Sequence, residues 1–291
     1  MATLHSQATA RGMMSPAVIL LLVWMLVPLG MTLYFSFLRY NLLMPGMEEW
    51  TGFFNYHYFL TDPAFSEALT NTLLLVGGVL LISVGGGLFL ALLLDQPFFG
   101  QSIVRLLVVA PFFVMPTVSA LVWKNMLMHP VNGLFAWMQS TVGITPTDWF
   151  ASYPMFSIIV IVSWQWVPFA FLILLTAIQS LDTEQQEAAR IDGAGPIAMF
   201  FYITLPHLQR AISVVIMIEC IFLLTVFAEI YVTTSGGPGL ATTNIAYLIY
   251  SVGLLQYDVA YASAGGVIAV ILANIVAIFL VRTVSRNLQS A

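Results

Sequence analysis

The sequence predicts an all-α integral membrane protein with six transmembrane helices and both termini cytoplasmic. Three observations carry that prediction. The 291 residues are 60% hydrophobic and only 7% charged, against about 25% charged in soluble domains. The apolar residues gather into continuous runs of about 20, the length that crosses a hydrocarbon core about 30 Å thick, rather than the short alternating segments of a barrel. The few basic residues fall mostly on one side of the runs, as positive charge does on the cytoplasmic side.

The first run, Pro16–Phe37, is too long for a signal peptide and no small-residue cleavage site follows it, so a retained helix is expected. The second, Leu69–Leu94, carries Gly77, Gly78, Gly85, Gly86 and Gly87, which permit close helix packing. In the third, Ile103–Met126, Pro111 and Pro116 suit either hinges or packing. The fourth, Met155–Ile178, contains "SWQWVPF", where Pro168 should loosen the helix and free a carbonyl. The fifth, Ala211–Val232, holds Glu219 and Glu229. The sixth, Ala260–Val281, holds Gly265 and Gly266. A single transmembrane domain is thus read over 16–281, with tails 1–15 and 282–291.

With the N-terminus inside, Arg11, Arg105, Arg190, Arg210, Arg282 and Arg286 lie on the inner side, leaving Arg39 and Lys124 outside. The outer segments 39–67, 127–154 and 233–259 carry Trp50, Trp137 and Trp149, read as interfacial anchors.

Several chemistries are excluded. Lys124 is the only lysine and no glycine-rich loop precedes it, so there is no P-loop. No G-x-S-x-G or H-E-x-x-H occurs, and His5, His57, His129 and His207 are scattered. Cys220 is the only cysteine, which rules out an intrachain disulfide or a cysteine metal framework. No metal, cofactor or nucleic-acid partner is expected. Such a protein moves or anchors something and does not catalyse a covalent step.

One polar insert interrupts the pattern, "LDTEQQEAARIDGAGPIAMFFYITLPHL", 181–208. Thr183 with Gln186 fits a capping box, and Glu184 and Glu187 favour the first turns of a helix. Gly193 and Gly195 suit a left-handed cap and turn, and Pro196 suits the first position of a second helix ending at Pro206. These signals fit equally a rigid peg for another protein and an ordinary surface hairpin.

A family resemblance separates the two. "EAARIDGAGPIAMFFYITLP" matches the EAA-x3-G-x9-I-x-L-P signature of ABC-importer permease subunits at Glu187, Ala188, Ala189, Gly193, Ile203, Leu205 and Pro206. The resemblance implies a type I importer permease fold in a bacterial cytoplasmic membrane, with the insert, including Asp192, as the coupling helix that docks into a separate ATPase. "FAEIYVTTSGGPG", 227–239, resembles the F-D-x-I-Y-x-x-T-x-G-G-P segment of maltose-type sugar permeases, with Ala228 in place of Asp. Together with "LLQYDVAYASAGGVIAVILANIVAIFL" it looks most like permeases for sugar alcohols. Implied partners are a second permease subunit, an ATP-binding cassette ATPase dimer, an extracytoplasmic substrate-binding protein, a carbohydrate and membrane lipid.

Intramembrane carboxylates face a bundle interior or a wet path, which makes Glu219 and Glu229 candidates. They stand about 280° apart round a continuous helix and about 15 Å along it. Glu219 shares a helical face with Phe222, Leu223 and Val226. That face lines the sugar site in maltose-type permeases, although a carboxyl bonded to a neighbouring helix fits too. Glu229 fits substrate contact or a gate. By its distance from Glu187, the fourth span resembles the family's W-x-x-x-P segment, which adds Gln165, Trp166 and Phe169. The expected function is uptake of a carbohydrate, a sugar alcohol first and a mono- or disaccharide second. Its rivals are an ion-coupled carrier using Glu219 and Glu229, and a scaffold that only recruits a partner.

Overall fold

The computed structural model describes residues 4–289, without the side chains of 4–10, 183 and 283–289. In chain order it comprises α1 (Leu4–Phe35), a short antiparallel pair β1 (Leu38–Arg39) and β2 (Glu49–Trp50), α2 (Phe54–Thr61), α3 (Pro63–Asp95), α4 (Gln101–Val109), α5 (Pro116–Val122), α6 (Leu134–Thr141) and α7 (Trp149–Ser152). It continues with α8 (Pro154–Gln179), α9 (Thr183–Ile191), α10 (Pro196–Met199), α11 (Leu205–Leu223), α12 (Ala228–Thr233), α13 (Ile245–Tyr250) and α14 (Val259–Gln289). Among the described residues five helices are long and apolar enough to cross a membrane, and the bent pair Gln101–Phe113 and Pro116–Leu127 makes a sixth if counted as one span.

The helix boundaries extend or correct the sequence reading at four places. Helix α1 starts at Leu4 and α14 runs to Gln289, so the described parts of the expected tails continue the terminal helices. Arg286, used for orientation, has its side chain outside the described residues. The third span is not straight: it bends by 105° between its two arms. Val114 (ψ 129°) and Met115 (ψ 137°) are extended there, because a residue preceding proline is pushed out of the helical region and Pro116 starts a new helix. The fifth span begins at Pro196 and stops at Leu223, with α12 a separate helix after the turn 224–227. Finally, α8 continues unbroken through Pro168, which is buried within it.

The contacts divide the chain into two compact units. The first takes the described chain up to Asp62 together with Ile249–Ile271. In it the apolar stretch Arg11–Phe35 of α1 is unburied on every side, as expected of a helix surrounded by apolar material other than its own chain. Asn55 donates to the carbonyls of Ser36 (2.9 Å) and Leu38 (2.7 Å). The Tyr261 hydroxyl donates to Asp62 Oδ2 at 2.6 Å. Gly265 lies against the Phe59 ring, where a Cβ would overlap it.

The second unit takes Pro63–Leu248 and the chain from Leu272. Its spine is the close packing of α3 on α8. A Cβ on Gly87 would stand 2.6 Å from Ala170 Cβ and 2.8 Å from the Phe171 backbone nitrogen, and Gly78 faces Ile159 as tightly, while Gly77 and Gly85 have open space. Helix α11 joins the two, burying Ala91, Phe171, Leu174, Leu208 and Val215 in one cluster. The C-terminal end of α3 is capped from α4: the Leu94 carbonyl accepts from Gln101 Nε2 (2.8 Å) and Arg105 Nη2 (2.7 Å), a cation meeting the negative end of the helix. Trp149 packs edge-on to Phe135 within a cluster around Trp123 and Ile161, while Trp50 and Trp137 are exposed.

Candidate coupling insert and substrate pathway

The insert folds from its own local signals. Helix α9 is capped by Asp182, whose side chain accepts from the Glu184 N–H at 2.9 Å. The cap is therefore one residue earlier than the expected Thr183, whose side chain lies outside the described residues. At the other end Gly193 takes φ +86°. The Gly193 N–H then reaches the Arg190 carbonyl (3.1 Å) and the Ala194 N–H the Ala189 carbonyl (2.9 Å), the paired bonds of a Schellman motif. Gly195 is extended (φ −75°, ψ 170°) rather than left-handed, and serves as the N-cap before Pro196.

The second helix does not end at Pro206. A wide turn at 200–204, closed by the Leu205 N–H on the Phe200 carbonyl, carries α10 into α11. A proline ring clashes with the carbonyl four residues back in a tight turn, and the wider turn relieves that clash. His207 Nε2 sits 3.0 Å from the Ala177 carbonyl and 3.1 Å from Ser180 Oγ, tying the start of α11 to the end of α8. The second half of the insert, from Pro196, and the fifth span are thus one helical run, Pro196–Leu223.

Of the coupling candidates, Glu187, Ala188, Asp192, Gly193 and Pro206 are exposed, whereas Ala189, Ile203 and Leu205 are half-buried. The structure adds apolar residues that sequence reasoning missed: Ile191, Ile197 and Tyr202 are 86%, 75% and 81% exposed. Their signal was present as large apolar side chains within a polar insert. Beneath it lies a groove of about 530 Å³ lined by Asp95, Gln96, Ile178, Gln186, Arg190 and Met199, among others.

The pathway candidates divide into two groups. Trp166, Phe169 and Phe222 come together, joined by Phe112 of the bent span. Phe112 stacks on Phe169 (5.9 Å, 22°) and meets Trp166 edge-on (6.0 Å), and Trp166 lies 5.5 Å from Phe222. Phe222 is 57% exposed. Gln165, 6% exposed, donates through Nε2 to the Val114 carbonyl at 3.1 Å, and its Oε1 is buried without a partner among the described residues.

Glu219 is 0% exposed. Its Oε2 accepts from Ser83 Oγ of α3, and Oε1 has no partner among the described residues. It turns into the packing between helices, so the expected single face of Glu219, Phe222, Leu223 and Val226 is split. Leu223 is buried, Phe222 faces outward, and Val226 lies in the turn after α11. That turn is held by Asn244, which donates to the Val226 carbonyl at 2.5 Å. Glu229, also buried, occupies the first turn of α12, where a carboxylate meets the positive end of the helix. Because the chain breaks at 224–227, the helical spacing expected between Glu219 and Glu229 does not hold.

The "TTSGGPG" stretch forms a bonded loop. Asn71 of α3 donates to the carbonyls of Leu240 (2.8 Å) and Thr243 (3.0 Å), and Thr234 and Thr242 share a 2.7 Å hydroxyl contact. Gly236 has φ +82°, with no room for a Cβ beside Thr243 and Tyr247. Lys124 donates to the Val232 carbonyl near the end of α12 at 3.0 Å.

Residues 83–290 match the family model described as "Binding-protein-dependent transport system inner membrane component". A sulfoquinovosyl glycerol transport system permease protein of Agrobacterium fabrum is 33% identical over 262 residues, covering 88% of this chain and 83% of that protein. A trehalose/maltose transport system permease protein of Thermococcus litoralis is 32% identical over 241 residues, covering 82% and 81%. A solved bacterial ABC transporter involved in the import of the acidic polysaccharide alginate has a similar chain, with TM-score 0.81, 26% identity, and coverage of 96% of this chain and 95% of that one.

Proposed function

This chain belongs to the family of binding-protein-dependent transport system inner membrane components, and we propose that it is the permease subunit of an ABC importer for a neutral carbohydrate, with a sugar alcohol as the best fit. It works by alternating access. An extracytoplasmic binding protein delivers the substrate, a second permease chain completes the pathway, and a separate ATPase dimer hydrolyses ATP on the cytoplasmic side, where both termini lie.

One observation carries the coupling role: the sharply cornered, exposed insert is continuous with the fifth span. Force applied at Glu187–Gly193 passes the Schellman corner into Pro196–Leu223, and through Glu219 and His207 it reaches α3 and α8. The exposed Ile191, Ile197 and Tyr202 supply apolar side chains of the kind a docking surface needs, on the same insert as the exposed Glu187 and Asp192.

Substrate class is argued from the aromatic shelf of Phe112, Trp166, Phe169 and Phe222. Aromatic faces suit the C–H surface of a sugar or sugar alcohol, and a few placed polar groups fix its orientation. The pathway candidates are aromatic, aliphatic, amide or acidic, and none is basic. Arg105 and Lys124, the basic residues that flank Phe112 in sequence, are held on backbone carbonyls. That balance disfavours anionic substrates and supports a neutral polyhydroxy compound.

The test is ATP hydrolysis by the purified complex with its binding protein, across sugar alcohols, monosaccharides, disaccharides and a uronic acid. Stimulation by mannitol or sorbitol supports the assignment. Stimulation only by a disaccharide discards the sugar-alcohol reading and keeps the importer. Stimulation by the uronic acid alone overturns the neutral-substrate argument.

A further inference from the structure

We propose that Gln165 is a positioning residue that couples occupancy of the aromatic shelf to the 105° bend of the third span, with Nε2 bolting the bend and Oε1 receiving a substrate hydroxyl. This rests on the shelf being the substrate pathway of a carbohydrate importer.

The bend creates the need for a bolt. Extended backbone at Val114 and Met115 takes the Val114 carbonyl out of the helical ladder, and a buried carbonyl without a donor is costly. The donor comes from the middle of α8: Gln165 Nε2, at 3.1 Å. The segment so fastened also carries Phe112, two residues earlier, which stacks on Phe169 and abuts Trp166. Shelf wall and bolted carbonyl are therefore parts of one short stretch, and neither moves without the other.

The second half of the amide is unfinished. Gln165 Oε1 is buried and accepts no hydrogen bond, and beyond the bend Ser119 Oγ on α5 is buried and unpartnered as well. A lone acceptor on a side chain 6% exposed, next in sequence to the shelf residue Trp166, is what a hydroxyl donor would satisfy. A hydroxylated ligand on the shelf bonds Oε1 and draws on the same planar amide that holds Val114.

The experiment uses the complete complex in lipid nanodiscs. Spin labels are placed at Leu107→Cys and Leu121→Cys, two exposed positions on the arms of the bend, in a Cys220→Ser background. Gln165→Met keeps the length of the side chain and removes both hydrogen-bonding functions. The expected result is a broadened distance distribution between the labels together with substrate-free ATP hydrolysis raised about fivefold, the low end of coupling between sites. The ratio of stimulated to unstimulated hydrolysis then falls toward unity. A residue with a merely structural role lowers both rates together and leaves their ratio unchanged, and that result, or an unaltered distance distribution, overturns the proposal. The ratio is read with whichever carbohydrate stimulates the unmodified complex. If none does, the carbohydrate reading fails, while the label distances still decide whether Gln165 holds the bend.

Discussion

Replacing Gly193 isolates the corner of the insert from everything else in the protein. Its φ of +86° is in the left-handed region, and a Cβ built there meets nothing within 4 Å. Backbone strain is therefore the whole effect of Gly193→Ala, with no clash and no lost contact. That strain is about 1–2 kcal/mol for a residue with a Cβ. A Gly193→Val change adds crowding at a branched Cβ and belongs at or above the upper end. A loss of this size lowers the population of the formed corner by about 5–30-fold. The Gly193 and Ala194 bonds back to Arg190 and Ala189 are the ones at risk. Because the insert is exposed, the thermal midpoint of the membrane domain should not change. Affinity of the permease pair for its ATPase, measured in nanodiscs by surface plasmon resonance, should weaken by the same factor, in the order Gly, Asn, Ala, Val, since Asn tolerates the left-handed region. Undiminished affinity in Gly193→Val would refute the claim that the corner is the docking peg.

Three other changes probe the helices behind the insert. Gly87→Val forces α3 and α8 apart, since even a bare Cβ would stand 2.6 Å from Ala170 Cβ; overpacking of this kind costs about 1–3 kcal/mol, read as a lowered thermal midpoint in detergent. Ser83→Ala strips Glu219 of its hydrogen-bond partner among the described residues and should destabilise the protein by about 1–3 kcal/mol, while Ser83→Ala combined with Glu219→Leu recovers most of the loss. If that stable double variant still transports at the normal rate, Glu219 leaves the pathway. Asn244→Ala orphans the Val226 carbonyl at the break after α11, and hydrogen exchange across 224–230 should accelerate by about tenfold for a loss near 1.4 kcal/mol.

The helical class and the insert were legible because each rests on local signals: run length for the spans, and the Gly193 and Pro196 spacing for the corner. The breaks were legible only in part. Pro116 announces that the preceding residue cannot be helical, but the angle at Val114–Met115 is set by packing and by Gln165, fifty-one positions away. The break within "LLTVFAEI" has no glycine or proline, and the residue that satisfies it, Asn244, lies eighteen positions downstream. Pro168 removes one N–H from α8 without ending it, so its signal marks a missing bond and not a boundary. Ser83 and Phe112 are unremarkable in sequence, and only the packing of α3 on α11 and of the bent span on α8 gives them partners.

The most direct measurement of the central claim is uptake of a labelled sugar alcohol into proteoliposomes. They would hold the complete complex, with the binding protein outside and ATP inside or absent. The account predicts uptake that requires internal ATP, persists when a protonophore collapses the proton gradient, and disappears with a Gly193→Val insert. Uptake that proceeds without ATP and stops with the proton gradient would contradict it, and would make this chain a carrier rather than the membrane half of an ATP-driven importer.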